Sequence, residues 1–186
     1  MDPRNKWNSK YKNRLNDFEQ KAPNVRLTAQ SNYLQGGTAL DLACGLGVNS
    51  LWLATLGYQV QAVDISDVAI NYVKEQAEKE QLFVEAKLCD LSDWHNLNVK
   101  ENSLDLIVIT YYLDRTIFPY LKSSIKEDGY LFMETFYMSP QKDRQTVSDQ
   151  FKLRSKELLS EFGDWQVLFY EEHEQEGRQT IFVRKS

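Results

Sequence analysis

Residues 40–64, LDLACGLGVNSLWLATLGYQVQAVD, constrain this chain more than any other stretch. An apolar run breaks at Gly45 and Gly47, a polar pair opens a helical stretch, and a second apolar run ends on Asp64. That order reads as strand, tight turn, helix and strand. Parallel neighbours need a crossover, so the segment predicts a right-handed βαβ unit.

The pattern repeats downstream. Strands are expected over 38–44, 58–64, 82–90, 104–113 and 130–138. Helices are expected over 48–57, 66–81 and 114–127, with Ser66 as an N-cap and a turn at Asp128 and Gly129. A short helical or looped piece covers 91–103, and a polar loop covers 139–150. A helix over 155–163 precedes a hairpin turning near Glu176 and Gly177. Residues 1–34 read as helical, with Trp7, Tyr11, Leu15 and Phe18 on one face and Pro23 dividing two helices. Strands alternating with helices and a closing hairpin give an α/β fold with a mostly parallel sheet and one antiparallel strand.

Composition removes several classes. At 186 residues with 42% hydrophobic, the chain suits one domain with a real core. The expected division is a cap over 1–35 and a core over 38–186. A net charge of −5 argues against naked nucleic acid as the partner. Cys44 and Cys89 have neither ligand nor disulfide-framework spacing, so no metal is expected. The polar N-terminal stretch and the shortness of every apolar run point to a cytoplasmic protein without a membrane partner.

Ligands of an open α/β sheet sit at the carboxyl ends of the strands. Gly45 and Gly47 let a ligand approach the backbone there, beside the free N–H groups of a helix start. Asp64 ends the next strand, where a carboxylate can accept ribose hydroxyls. NAD and S-adenosylmethionine (SAM) both satisfy this much. A dinucleotide fingerprint wants a third glycine where this chain has Ser50, after the polar Asn49. Asp41 also lies within the first apolar run, and a buried carboxylate suits a cationic ligand better than a pyrophosphate.

The segment LDLACGLGVNS resembles the first motif of class I SAM-dependent methyltransferases, and its extension through Ser66 is similar to the small tellurite-resistance-type methyltransferases. Trp7 and Tyr11 match a Trp-x-x-x-Tyr that recurs among them; Val48 stands where they often carry Arg. The resemblance implies a Rossmann-like three-layer αβα sandwich with strand order 3-2-1-4-5-7-6. It implies that Asp41, Cys44, Gly45 and Gly47 meet the methionine part, with Asn49 also in the cofactor site. Asp64 would hold the ribose and Ile65 pack on adenine, with Asp90 and Leu91 at the adenine edge and Thr110 contacting the methionine amino group or bordering the transferred methyl. The implied activity is methyl transfer to a small-molecule acceptor, with S-adenosylhomocysteine (SAH) as product. Tyr111, Arg115, His95 and Tyr11 are the candidate catalytic groups. A SAM-binding protein without catalysis and a nucleotide-dependent oxidoreductase are the alternatives.

Overall fold

Seven strands form one mixed sheet in the order β3-β2-β1-β4-β5-β7-β6, in agreement with the expected topology. The computed structural model describes residues 2–17, 22–141 and 147–186. By its internal contacts the chain divides into two compact units, Met1–Asn98 and Val99–Ser186.

The first unit opens with α1 (Pro3–Asn16), capped by the Asp2 carboxylate, and a short α2 (Val25–Thr28) capped by Asn24. Pro23 falls between them, as expected from its missing N–H. Of the expected apolar face, Tyr11 is buried and Trp7 stacks on it with ring centroids 5.6 Å apart. Phe18 lies outside the described residues. Then come β1 (Gly37–Leu42), α3 (Val48–Thr55), β2 (Tyr58–Asp64), α4 (Asp67–Glu80) and β3 (Val84–Leu88). Both strand pairs are parallel. Ser66 caps α4 by accepting from the Ala69 N–H, and Gln81 ends it in the left-handed region at φ +55°. Ile70, Val73 and Ala77 put the buried face of α4 at helical spacing, and Ile70 and Val73 close over Ala62 and Ala86.

The second unit holds β4 (Leu104–Thr110), α5 (Phe118–Ser124), β5 (Ile125–Phe136), α6 (Glu157–Phe162), β6 (Gln166–His173) and β7 (Arg178–Arg184). Strand β4 is parallel to β5, and β7 is antiparallel to both of its neighbours. One expectation fails here. Residues 125–129 do not end a helix but begin the 12-residue β5. Asp128 sits at φ +63°, and the register shifts between Leu104 and Leu106. The turn residues make an irregularity inside a strand rather than a stop before one. Among the described residues, no helix is long and apolar enough to cross a membrane.

Candidate cofactor site

The turn from β1 into α3 is built from left-handed backbone. Gly45 has φ +56° and Gly47, the N-cap of α3, φ +70°. A Cβ on Gly47 would fall 2.5 Å from Val73 Cγ2 on α4, so any side chain there would force the two helices apart. Ala43 shares the left-handed region at φ +55° with no glycine to ease it. Cys44 donates its N–H to the Val63 carbonyl, which ties the turn to β2, and it packs against the α4 cluster. Burial pushes its thiol well above the usual range.

Asp41 is fully buried in β1. The Ser50 hydroxyl donates to its Oδ2 at 2.5 Å, while its Oδ1 meets no hydrogen-bond donor among the described residues. Desolvation pushes its carboxyl up to about 7, against the opposing pull of Ser50. Asn49, next to Ser50, turns the other way and accepts from the Asn24 N–H at 2.9 Å. Its side chain is therefore engaged with the segment before α2.

Asp64 is 4% exposed at the end of β2. Its Oδ2 accepts the Gly45 N–H and its Oδ1 the Ser66 N–H, each at 2.9 Å. These bonds join the β1–α3 and β2–α4 turns through one carboxylate. Burial raises its pKa, and the backbone donors oppose that rise. The Tyr11 ring lies across the same turn, its hydroxyl 3.0 Å from where a Gly45 Cβ would stand. Ile65 is half-buried beside Asp64.

Asp90 differs from the other two aspartates. It is exposed and caps the 3-10 stretch after β3, its Oδ1 accepting from the Ser92 N–H and hydroxyl at 2.9 and 2.8 Å. It shares a cleft of about 230 Å³ with Lys87, Leu88, Cys89, Asp93, Asn96 and Leu97. Leu91 is buried behind it, and His95 is exposed with its ring tilted against Trp94.

The remaining candidates lie in the second unit. Thr110 ends β4 and is half-buried. Tyr111 follows at φ +57°, its hydroxyl donating to the buried Glu134 at 2.9 Å and its ring 5.0 Å from that of Phe136. Arg115 grips both Glu157 oxygens at 2.5 and 2.9 Å and donates to the Lys152 carbonyl. Asp114 accepts from the Thr116 N–H at 2.9 Å. Sequence reasoning missed the anchors of α1. Asn8 bonds Ser66 and Asp67, both at 2.6 Å, and Arg4 pairs with Asp67 at 3.0 Å. Polar residues on a polar helix give no periodic signal.

A family model described as "Tellurite resistance protein TehB" matches residues 9–181. The probable S-adenosyl-L-methionine-dependent methyltransferase TehB of Haemophilus influenzae is 33% identical over 141 residues, covering 72% of this chain and 48% of that protein. A ribosomal protein L11 methyltransferase of Campylobacter concisus is 31% identical over 140 residues, covering 74% and 47%. The crystal structure of TehB from Haemophilus influenzae superposes with a TM-score of 0.77 at 27% identity, over 91% of this chain and 64% of that one. The chain thus spans about half the length of the curated relatives it matches.

Proposed function

Because the chain belongs to the tellurite resistance protein TehB family, we propose that it is a SAM-dependent methyltransferase acting on a small-molecule acceptor. The observation that carries this reading is Asp41. A fully buried carboxylate with one oxygen unmet among the described residues, beside a glycine turn, fits a nucleoside ligand that brings its own cation. The SAM amino group and sulfonium are such cations. An NAD pyrophosphate would add a second anion, and Ser50 replaces the glycine that its fingerprint wants.

The residues present fit the group. Asp41 and the backbone of Cys44, Gly45 and Gly47 would hold the methionine part, Asp64 and Ile65 the ribose and adenine, and Asp90 and Leu91 the adenine edge. The sulfonium supplies an electrophilic methyl. The protein's share is orientation, which can lower such a barrier by about 7–11 kcal/mol. Asp64, pinned to two turns by the Gly45 and Ser66 N–H groups, supplies that rigidity. On the acceptor side, Thr110 and Tyr111 are the residues we favour. The Tyr111 hydroxyl donates to Glu134, so a proton that its oxygen took from an acceptor would have to be matched by passing its own proton to the Glu134 carboxylate. Arg115 is set aside because its guanidinium already holds Glu157, and His95 because it is a surface residue. Asn49 is not carried forward, since its side chain binds Asn24.

The chain's net charge of −5 favours a small acceptor over ribosomal RNA, while the likeness to an L11 methyltransferase keeps a protein acceptor as the second reading. Titration calorimetry with SAM and SAH tests the cofactor. We expect saturable heat with both, and none with NADH. Absence of heat with SAM and SAH at high protein concentration overturns the reading. Methyl transfer from labelled SAM to a panel of small thiols, amines and chalcogen anions, run beside purified ribosomal protein L11, then separates the two acceptors.

A further inference from the structure

The face of β5 that carries Glu134 continues past the end of the strand. Side chains alternate along extended chain, so Glu134, Phe136 and Met138 share one face and Thr135, Tyr137 and Ser139 the other. The second set is buried throughout. The first opens outward in steps: Glu134 is fully buried, Phe136 half-buried and Met138 43% exposed. Backbone bonds hold this stretch on both sides. The Phe136 carbonyl accepts the Leu153 N–H at 2.9 Å, the Met138 N–H donates to the Leu153 carbonyl at 2.8 Å, and the Tyr137 N–H donates to the Gly177 carbonyl at 3.0 Å.

Tyr111 joins the row from the end of β4. Its N–H donates to the Glu134 carbonyl at 2.7 Å and its hydroxyl to the Glu134 carboxylate at 2.9 Å, while its ring lies 5.0 Å from that of Phe136. Its left-handed backbone, φ +57°, is of the kind that persists only where the surroundings fix it, and such residues concentrate at functional sites. The side chain is thus tied to Glu134 at both ends, yet Tyr111 is 47% exposed.

The charges of the second unit around this row are engaged. Glu134 Oε2 accepts from Thr180, Thr180 accepts from Arg178, and Arg178 also meets Glu171 and Glu176. Arg115 holds Glu157. An anionic acceptor would meet a buried carboxylate behind the row and guanidinium groups already paired. An aromatic body would meet two rings and a thioether, surfaces on which such a body packs well.

We propose that Tyr111, Phe136 and Met138 form a platform for an uncharged aromatic acceptor and so set the preference among small molecules. This deepens the reading above, in which Tyr111 belongs to the acceptor side, and rests on it. The platform lies at the carboxyl ends of β4 and β5, the end of an open α/β sheet at which ligands bind. Tyr111 works here through its ring, and the bond to Glu134 holds the ring in place.

Benzyl mercaptan and 2-mercaptoethanol, two alkyl thiols that differ chiefly in the ring, test the platform with SAM as methyl donor. In that transfer an S–C bond forms as the methyl–sulfonium bond breaks, and the thiol proton leaves to solvent. We expect kcat/KM to favour benzyl mercaptan by roughly ten-fold. Tyr111→Ala and Met138→Ala should each lower its value roughly three- to ten-fold, chiefly through KM, and narrow the preference. Tyr111→Phe keeps the ring and should recover most of what Tyr111→Ala loses, whereas a proton-handling hydroxyl predicts no recovery. Saturation-transfer NMR of benzyl methyl sulfide, the product, on the SAH complex reads the platform without turnover. We expect a signal that Met138→Ala weakens, a change that leaves the bonds of Glu134 in place should Tyr111→Ala melt early. Equal use of the two thiols, preference for selenite over both, or wild-type behaviour of Met138→Ala overturns the platform, and the cofactor reading survives if SAH still binds. If neither thiol is methylated, the sulfide signal and its dependence on Met138 decide, and its absence rejects the platform. If the wild type binds neither SAM nor SAH, the cofactor reading itself has failed.

Discussion

Each unit buries a strand carboxylate, Asp41 in β1 and Glu134 in β5, and the two are treated in opposite ways. Glu134 is answered on both oxygens, Oε1 by the Tyr111 hydroxyl at 2.9 Å and Oε2 by Thr180 at 2.8 Å. Thr180 in turn accepts from Arg178, which also meets Glu171 at 2.6 Å and Glu176. Asp41 has Ser50 on one oxygen and no donor on the other among the described residues. The desolvation cost is similar in kind, but only the second unit offsets it from within. A group left partly unanswered inside a rigid turn costs folding stability and is ready for a ligand. A fully answered network stabilises the fold and has little left to give.

The largest effect expected from this contrast is a gain and a loss in one variant. In the folded chain Asp41 titrates at about 7, against 3.8 as the ordinary value, so the folded state binds its proton more tightly than the unfolded state. Its contribution is therefore full below about pH 4 and is lost as pH rises through about 7, a swing of up to about 4 kcal/mol. Asp64 is shifted in the same direction. Asp41→Asn removes the larger share of that dependence. Urea unfolding from pH 4 to 8 should give a flatter profile, with the variant more stable than the wild type at pH 8. Its SAH affinity should fall by roughly 100-fold, the scale of removing one partner of a buried charge contact. A variant that is less stable at pH 8, or that binds SAH normally, would erase the distinction between the two carboxylates.

Arg178→Met sharpens the comparison from the other side. Arg178 is 3% exposed, and removing its guanidinium leaves Glu171, Glu176 and Thr180 without that partner. We expect a loss of about 2–3 kcal/mol, moderated because the glutamates reach solvent. The Kd for SAH should stay within two-fold of wild type. A large change in affinity would mean that the network is not confined to stability.

The sequence made these two carboxylates unequally visible. Asp41 and Asp64 could be placed because a glycine turn and two apolar runs set their distance along the chain, and parallel pairing does the rest. Glu134 and Thr180 are 46 residues apart and meet only through antiparallel pairing of β5 with β7, which no local pattern encodes. Strands β2 and β4 were plain because apolar residues recur at alternate positions in β2 and run together from Leu106 to Ile109 in β4. The start of β5 was not, since Lys126 to Gly129 carries turn residues that the strand absorbs as a left-handed irregularity at Asp128. Asn49 shows a further limit. A polar residue in the first turn of a helix can face a ligand or the preceding chain, and here it accepts from Asn24. Tyr11 was legible as part of a helical face, but periodicity gives the face and not the glycine turn that the ring covers.

The smallest effect concerns backbone rather than charge. Ala43, just past β1, and Tyr111, just past β4, take nearly the same left-handed conformation, φ +55° and +57°. Holding a residue with a Cβ there costs about 1–2 kcal/mol. Ala43→Gly relieves that strain but gives back part of it through the freer unfolded chain, so we expect a net gain of about 0.5 kcal/mol and a rise in Tm of about 1–2 °C. At Tyr111 the same change should reverse sign. Its side chain packs against Phe136 at a tilt and bonds Glu134, and these contacts outweigh the relief. Thermal melts of the two glycine variants compare the units at matched geometry. If both gain stability, the Tyr111–Glu134 contact contributes nothing to holding that turn. If both lose it, Ala43 makes contacts that its backbone angle alone does not reveal.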